Sequence, residues 1–341
     1  VSSNAPAPDP AGRPASTGID AGIGHTRAPA DDETGLGSLH PRLPSPLQEV
    51  KDARFARHGV RLLLKRDDLI HPELPGNKWR KLELNLRAAA DTGPRPLLTF
   101  GGAYSNHLRA TAAAGRLLGL PTIGVVRGNE LASQPLNPVL RQCAADGMRL
   151  HFLTRSAYRH KAEPEVLDAL RARFGACYVI PEGGSNALAA QGCATLGREL
   201  RAALASADGP LIVGVACGTG GTLAGLAAGL AEGPEPRPRV IGFPVLKGGF
   251  LGAEVAALQA AAFGARTGDW ELNERFHGGG YARTTPEIDA FAQDFTRRHG
   301  LVLDRIYVAK MLYGLTILAE EGTFAPGATV IAVITGPALT A

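Results

Sequence analysis

Two α/β domains, each an open, mostly parallel twisted sheet flanked by helices, are the architecture this sequence predicts, on three observations. Short apolar runs recur at Leu97–Phe100, Thr122–Val126, Leu150–Leu153, Tyr178–Ile180, Leu211–Ala216, Val240–Val245 and Thr329–Ile334. Ala-, Leu- and Arg-rich stretches of helical length lie between them, among them Asn106–Leu118, Ala157–Phe174 and Leu188–Leu204. Strand and helix alternating at this spacing imply parallel pairing with helices on the faces. The third observation is that the strand exits are rich in Gly, Ser, Thr and Asn, and ligands of parallel sheets bind at such exits. The strand count predicts two sheets. They divide into a small domain over 81–189 and a large one from 41–80 and 190–341, behind a tail over 1–40.

Length and composition set the frame. At 341 residues the chain has room for about two domains, and 45% apolar with 20% charged residues is ordinary for a globular protein. A formal net charge of +4 suits small anionic ligands, and no Lys/Arg run suggests a nucleic-acid footprint. Cys143, Cys177, Cys193 and Cys217 show no CxxC spacing and lie among apolar residues. Reduced core thiols in a cytosolic protein are therefore expected, rather than disulfides or a zinc site. The first forty residues lack the basic start and apolar core of a signal peptide. Rich in Ala, Pro, Gly and Asp, they carry too little apolar surface to offset ordering entropy, and a disordered tail is expected. The run from Leu211 to Ala231 carries no charge, but its glycines break it into strand, loop and helix rather than a membrane span.

In chain order, His40–Leu47 is proline-rich and extended, and Val60–Lys65 reads as a buried strand. Lys78 follows where the loop with Pro72, Pro75 and Gly76 opens into a helix. A lysine becomes a useful catalyst when its pKa is depressed or its amine is fixed against an electrophile, and Arg80 and Lys81 add neighbouring charge. The competing reading is the basic first turn of an amphipathic helix with Trp79, Leu82, Leu84 and Leu86 on its apolar side. Another helix announces both ends: Thr285 as N-cap, Pro286 at the first position, Arg297 to His299 in the last turn and Gly300 as terminator.

Four strand-exit loops invite chemistry. In Gly101-Gly102-Ala103-Tyr104-Ser105-Asn106-His107, two glycines admit a ligand to the backbone and Ser105 with Asn106 opens a helix, a natural carboxylate cradle. Pro181 to Asn186 reads as a plain capped turn. Cys217-Gly218-Thr219-Gly220-Gly221-Thr222 exposes backbone N–H groups ahead of a helix, a phosphate site. It fails the dinucleotide spacing, because the third glycine would fall at Leu223, and Val240–Val245 lacks an acid for a ribose. The fourth pairs Arg305–Met311 with Thr335-Gly336-Pro337 after the last strand. A reactive lysine beside a separate monophosphate loop suggests pyridoxal phosphate.

The motifs SPL at Ser45, KRDD at Lys65, GNKWRKLE from Gly76, GGAYSNH from Gly101, PEGGSN from Pro181, CGTGGT from Cys217 and Tyr307-x-x-Lys310 occur in that order. From about His40 onward the chain thus resembles the family of 1-aminocyclopropane-1-carboxylate deaminase and D-cysteine desulfhydrase. These are fold type II pyridoxal-phosphate enzymes of the tryptophan-synthase-β-like group. The resemblance implies that the large domain binds the cofactor, that Lys78 is the Schiff-base lysine and that Asn106 lies beside the cofactor's phenolic oxygen. It implies Ser105, Asn106 and His107 at the substrate carboxylate, Gly218, Thr219, Gly220, Gly221 and Thr222 around the phosphate, and Thr335 facing the pyridine nitrogen. Tyr281 and Tyr307 match the two active-site tyrosines, and a cytosolic homodimer acting on a small amino acid, without membrane or nucleic acid, is expected.

Two departures bear on the substrate. Where the deaminase has an acid after its second tyrosine this chain has Val308, and the glycine pair after the last strand is shortened to Thr335-Gly336-Pro337. A neutral ring-nitrogen contact disfavours a full pyridinium and suits β-elimination better than cyclopropane opening. Elimination of the D-cysteine type, giving a 2-oxo acid and ammonia, is therefore the leading expectation. Cyclopropane opening is second and β-replacement third, with a nucleotide-dependent oxidoreductase or a non-catalytic binding protein as rival classes.

Overall fold

The computed structural model describes residues 35–74, 76–233 and 235–337, so the tail expected over 1–40 lies outside it up to residue 34. The tail's assigned end is a correction. Leu36–Leu39 form a 3-10 turn whose two leucines are buried in one cluster with Ile70, Leu74 and Trp79, because two leucines in four residues supply apolar surface that the preceding stretch lacks.

The described elements alternate as the apolar periodicity requires. First come β1 (Leu47–Val50), α1 (Ala53–Ala56), β2 (Arg61–Lys65) and α2 (Lys78–Asp91). Next are β3 (Leu97–Gly101), α3 (Asn106–Leu118), β4 (Thr122–Arg127), α4 (Pro138–Ala145), β5 (Met148–Leu153), α5 (Arg155–Arg159), α6 (Pro164–Phe174) and β6 (Tyr178–Ile180). The chain continues through α7 (Ala187–Ala203), β7 (Leu211–Cys217), α8 (Gly221–Ala231), β8 (Arg239–Pro244), α9 (Leu251–Phe263) and β9 (Trp270–Leu272). It ends with α10 (Pro286–His299), α11 (Val308–Glu320) and β10 (Thr329–Val333).

These strands form two sheets, one of six in the order β1-β2-β10-β7-β8-β9 and one of four in the order β5-β4-β3-β6. All pairings are parallel except β1 with β2. β10 and β3 are buried along their whole length, as strands covered by helices on both faces must be. The uncharged run from Leu211 resolves into β7, a glycine loop and α8, and no helix among the described residues is long and apolar enough to cross a membrane. Cys143, Cys193 and Cys217 are buried free thiols, and burial pushes those of Cys143 and Cys217 up to about 12.

Local differences have local causes. The single helix expected over Ala157–Phe174 is α5 and α6, separated ahead of Pro164, which has no N–H for a helix interior and takes the first position of α6. The edge strands β1 and β9 were not expected, since runs this short depend on the strand they pair with.

One packing detail positions the chemistry. A Cβ on Gly225 would stand 2.1 Å from the Ala190 carbonyl oxygen, and one on Gly229 only 2.0 Å from that of Ala194, so α8 lies directly against α7. A Cβ on Gly192 would likewise stand 2.1 Å from the Arg80 carbonyl, which brings α7 against α2. The small residues bring these helix starts together where the strands of both sheets end.

Candidate active site

Those strand ends enclose a cavity of about 280 Å³. Lys78, Ser105, Asn106, His107, Gly218, Thr219, Gly220, Thr222, Tyr281, Tyr307 and Thr335 all line it, and Gly221 lies behind them as the first residue of α8. Residues spread over most of the chain thus meet in one place.

Lys78 begins α2, and burial holds its amine well below the ordinary lysine pKa, with the Lys81 charge lowering it further. It has no hydrogen-bond partner among the described residues, unlike every other lysine weighed against it. Lys65 donates to Glu199 and to the Ser45 carbonyl, each at 2.6 Å. Lys81 donates to the Gly183 carbonyl at 3.0 Å and the Ser185 hydroxyl at 3.2 Å, and Lys310 to the His277 and Gly280 carbonyls, each at 2.8 Å. The loop before Lys78 is tied to the end of β10, since the Asn77 N–H donates to the Thr335 carbonyl at 2.9 Å. Gly76, at φ 59°, is indispensable there, because a Cβ would stand 1.8 Å from that same oxygen.

The opposite side of α2 is anchored by a buried ion network. The Arg80 guanidinium forks onto Asp67 at 2.9 Å and 2.9 Å and onto Glu199 at 2.9 Å and 2.9 Å. It also donates to Thr195 at 2.9 Å, while the Ser45 hydroxyl donates to Asp67 at 2.7 Å. Two cations, Lys65 and Arg80, balance two carboxylates, so no buried charge is left uncompensated.

At α8 the cap is a backbone conformation and not a side chain: Gly220 is left-handed at φ 78°, and no side chain accepts from the helix's first amides. Those N–H groups and the helix dipole face the cavity, a site for one phosphate. Asn77 donates to the Thr222 hydroxyl at 2.7 Å, and the Ser185 and Thr219 hydroxyls are hydrogen-bonded. Lys81 adds charge, its amine standing 3.1 Å from where a Cβ on Gly221 would be. A Cβ on Gly220 would meet Val255 at 2.6 Å, so a larger residue there would collide with α9.

The start of α3 differs. Ser105 caps it by accepting from the Leu108 N–H at 3.3 Å, leaving the amides of Asn106 and His107 without helical partners. Inside it, the Thr99 hydroxyl donates its only proton to the Ile180 carbonyl at 2.8 Å and so accepts from Nε2 of His107 at 2.8 Å. Burial, with the charge of Lys81, holds His107 well below the ordinary histidine pKa. The ring is therefore neutral with its proton on Nε2, and Nδ1 is a buried acceptor without a partner among the described residues, as is Oδ1 of Asn106.

Tyr281 and Tyr307 meet edge to face, ring centroids 6.2 Å apart, and burial raises both hydroxyls, that of Tyr307 well above the ordinary value. Lys310 fixes the backbone that carries Tyr281. Asp304, overlooked in the sequence, lines the cavity, but its carboxylate accepts from the N–H groups of Ile306 at 3.3 Å, Tyr307 at 2.7 Å and Val308 at 3.2 Å. Its position three residues before Tyr307, where a helix starts, was the available signal. Ser185 was also missed, although its loop leaves a parallel strand like the others; Asn186 does cap α7, accepting from Ala189 at 2.9 Å. Val308 is not in the lining at all: it is fully buried in the hydrophobic cluster with Ala216, Phe243 and Ile334.

A phosphorylated aldehyde suits this donor set. A half-buried amine without a described partner, an uncapped helix start and two orphaned polar atoms face one cavity.

Comparison with known proteins agrees. The family model described as "Pyridoxal-phosphate dependent enzyme" matches residues 40–336. A D-cysteine desulfhydrase of Klebsiella pneumoniae is 32% identical over 318 residues, covering 86% of this chain and 92% of its own. The mitochondrial bifunctional D-cysteine desulfhydrase/1-aminocyclopropane-1-carboxylate deaminase of Arabidopsis thaliana is 31% identical over 270 residues, 76% of this chain and 67% of that protein. Among solved structures, an ACC deaminase homologue superposes with a TM-score of 0.73 at 28% identity, covering 89% of this chain and 94% of that one. Threonine deaminase isoform 2 of Solanum lycopersicum shares the fold, with a TM-score of 0.61 at 18% identity over 87% of this chain and 80% of that one.

Proposed function

Because the chain belongs to the family of pyridoxal-phosphate-dependent enzymes, we propose that this lyase or deaminase of small amino acids acts by α,β-elimination of the D-cysteine type. The observation that carries the reading is the unpartnered, desolvated amine of Lys78 beside the uncapped start of α8. The two groups match the aldehyde and the phosphate of one cofactor.

In this reading Gly218 to Thr222, with Lys81, hold the phosphate, and Asn106 and Thr335 flank the ring. When bound, the cofactor supplies an acceptor for the electron pair left as the α-proton departs. Lys78, its charge disfavoured by burial, takes that proton at Nζ. Ser105 and the amides of Asn106 and His107 bind the substrate carboxylate. The His107 ring does not donate to it, since its free nitrogen is an acceptor. Tyr281 and Tyr307 keep their protons at neutral pH and present an O–H to the departing group. Water then yields a 2-oxo acid and ammonia.

Elimination is preferred to cyclopropane opening because Val308 supplies no acid and the Asp304 carboxylate is committed to three backbone amides. Assays with D-cysteine, β-chloro-D-alanine and 1-aminocyclopropane-1-carboxylate should show ammonia release fastest from the first two. Efficient ring opening without elimination would reverse the order. Borohydride reduction and peptide mapping should place the cofactor on Lys78, and attachment to Lys81 would sink the assignment. A cytosolic homodimer completes the proposal: the buried free thiols suit a reducing compartment, and light scattering reads the mass.

A further inference from the structure

Arg127 ends β4 with its side chain on the cavity wall, and the sequence had not singled it out. It makes no hydrogen bond or ion pair with any described residue. Its guanidinium lies beside Gly102, where a Cβ would stand 3.9 Å from Nη2, an ordinary contact. The carboxylates that share the cavity wall are already engaged. Glu182 takes the Tyr158 hydroxyl at 2.8 Å on one oxygen and Lys161 at 3.0 Å on the other, and Asp304 takes its three amides. The Arg127 charge is felt by Tyr281, which puts it on the side of the cavity where the departing group is expected.

A guanidinium is a planar fork matched to carboxylate, sulfate or phosphate oxygens, and Arg127, solvent-exposed on the cavity wall and without a described partner, is free to turn its fork to one. The α-carboxylate already has the Ser105 hydroxyl and two α3 amides. We propose that Arg127 forms a subsite for a second anion, on the side chain of the amino-acid substrate, so that the enzyme prefers acidic amino acids or those with an anionic β-substituent. The proposal rests on the amino-acid lyase reading above.

Isosteric pairs test it by binding rather than turnover. The holoenzyme would be titrated with both enantiomers of alanine, aspartate, asparagine, glutamate and glutamine, following the visible band of the bound cofactor. At least one acid should bind about 5- to 10-fold more tightly than its amide, a preference that shrinks with added salt. Arg127→Gln should bring that ratio to about 1 with alanine affinity retained, and Arg127→Lys should leave it intermediate. Equal affinity for acid and amide in the wild type would overturn the proposal. So would an Arg127→Gln protein that loses alanine as severely as the acid, which would place Arg127 on the α-carboxylate. A band that no amino acid perturbs would overturn the lyase reading, and the subsite with it.

Discussion

Lys78 and Arg80 stand two residues apart on the first turn of α2, about 200° around the helix, and meet opposite fates. Arg80 is 1% exposed, and its N–H groups are shared among two carboxylates and two hydroxyls. Lys78 is also desolvated, yet nothing described accepts from its amine. The satisfied face fixes where the helix begins. The unsatisfied face can then hold a group at a cost that anchoring offsets, and a buried amine without a partner is neutral and nucleophilic. The amine proposed to be catalytic and the structural guanidinium differ here in their partners.

Removing the reactive side breaks the comparison most visibly. Lys78→Met should lower turnover by about a thousandfold or more. It should also raise the melting temperature of the cofactor-free protein. Burial lowers the amine's pKa below its value in the unfolded chain, so near neutral pH the folded state carries a penalty that methionine lacks. Calorimetry reads this, and a lower melting temperature would show that the amine has a partner in the folded protein.

Arg80→Met attacks the anchored side. Two carboxylates would lose their main counter-charge, which destabilises by about 3–5 kcal/mol. Denaturant unfolding measures the loss, and a change under 1 kcal/mol would mean that Lys65 alone balances the network. Lys81→Met sits between these extremes, one turn on from Lys78. Cofactor affinity, measured by the return of the visible band on titration, should weaken about tenfold as the phosphate loses a charge-assisted contact. Unchanged affinity would leave the cradle to backbone amides alone.

The smallest effect is a pH dependence. Burial alone would raise the Glu199 pKa, but hydrogen bonds and charge from Arg80 and Lys65 hold it below the usual 4.5. A carboxyl depressed in the folded state stabilises fully above its unfolded pKa, and that contribution is lost as pH falls through the folded value. Stability should therefore decline as the pH drops below about 4.5, and less steeply in Glu199→Gln. Parallel slopes in the two proteins would assign the acid transition to other carboxyls.

Much of this was legible in the chain. Pro286–His299 is a helix between the residues that the capping chemistry marked, and Asn106–Leu118 starts where Ser105 was read to open it, because a cap is a hydrogen bond to a neighbour a few residues away. The strand candidates and the glycine loop before α8 were equally local, as were Lys78 and the residues of the motifs. What the chain could not show is which of its charges meet. Arg80 and Glu199 are 119 residues apart, and no spacing rule links them. Lys65, Lys78, Lys81 and Lys310 look alike as letters. Folding gave three of them acceptors and left Lys78 without one among the described residues, and the same packing set Gly220 against α9 and Val308 in the core. Local periodicity and turn chemistry determine the elements, since their hydrogen bonds close within a few residues. Partnership across the sheets sets Lys78, the lysine proposed to react, apart from the others and leaves Arg127 without a partner among the described residues, since desolvation and pairing exist only once distant segments have packed.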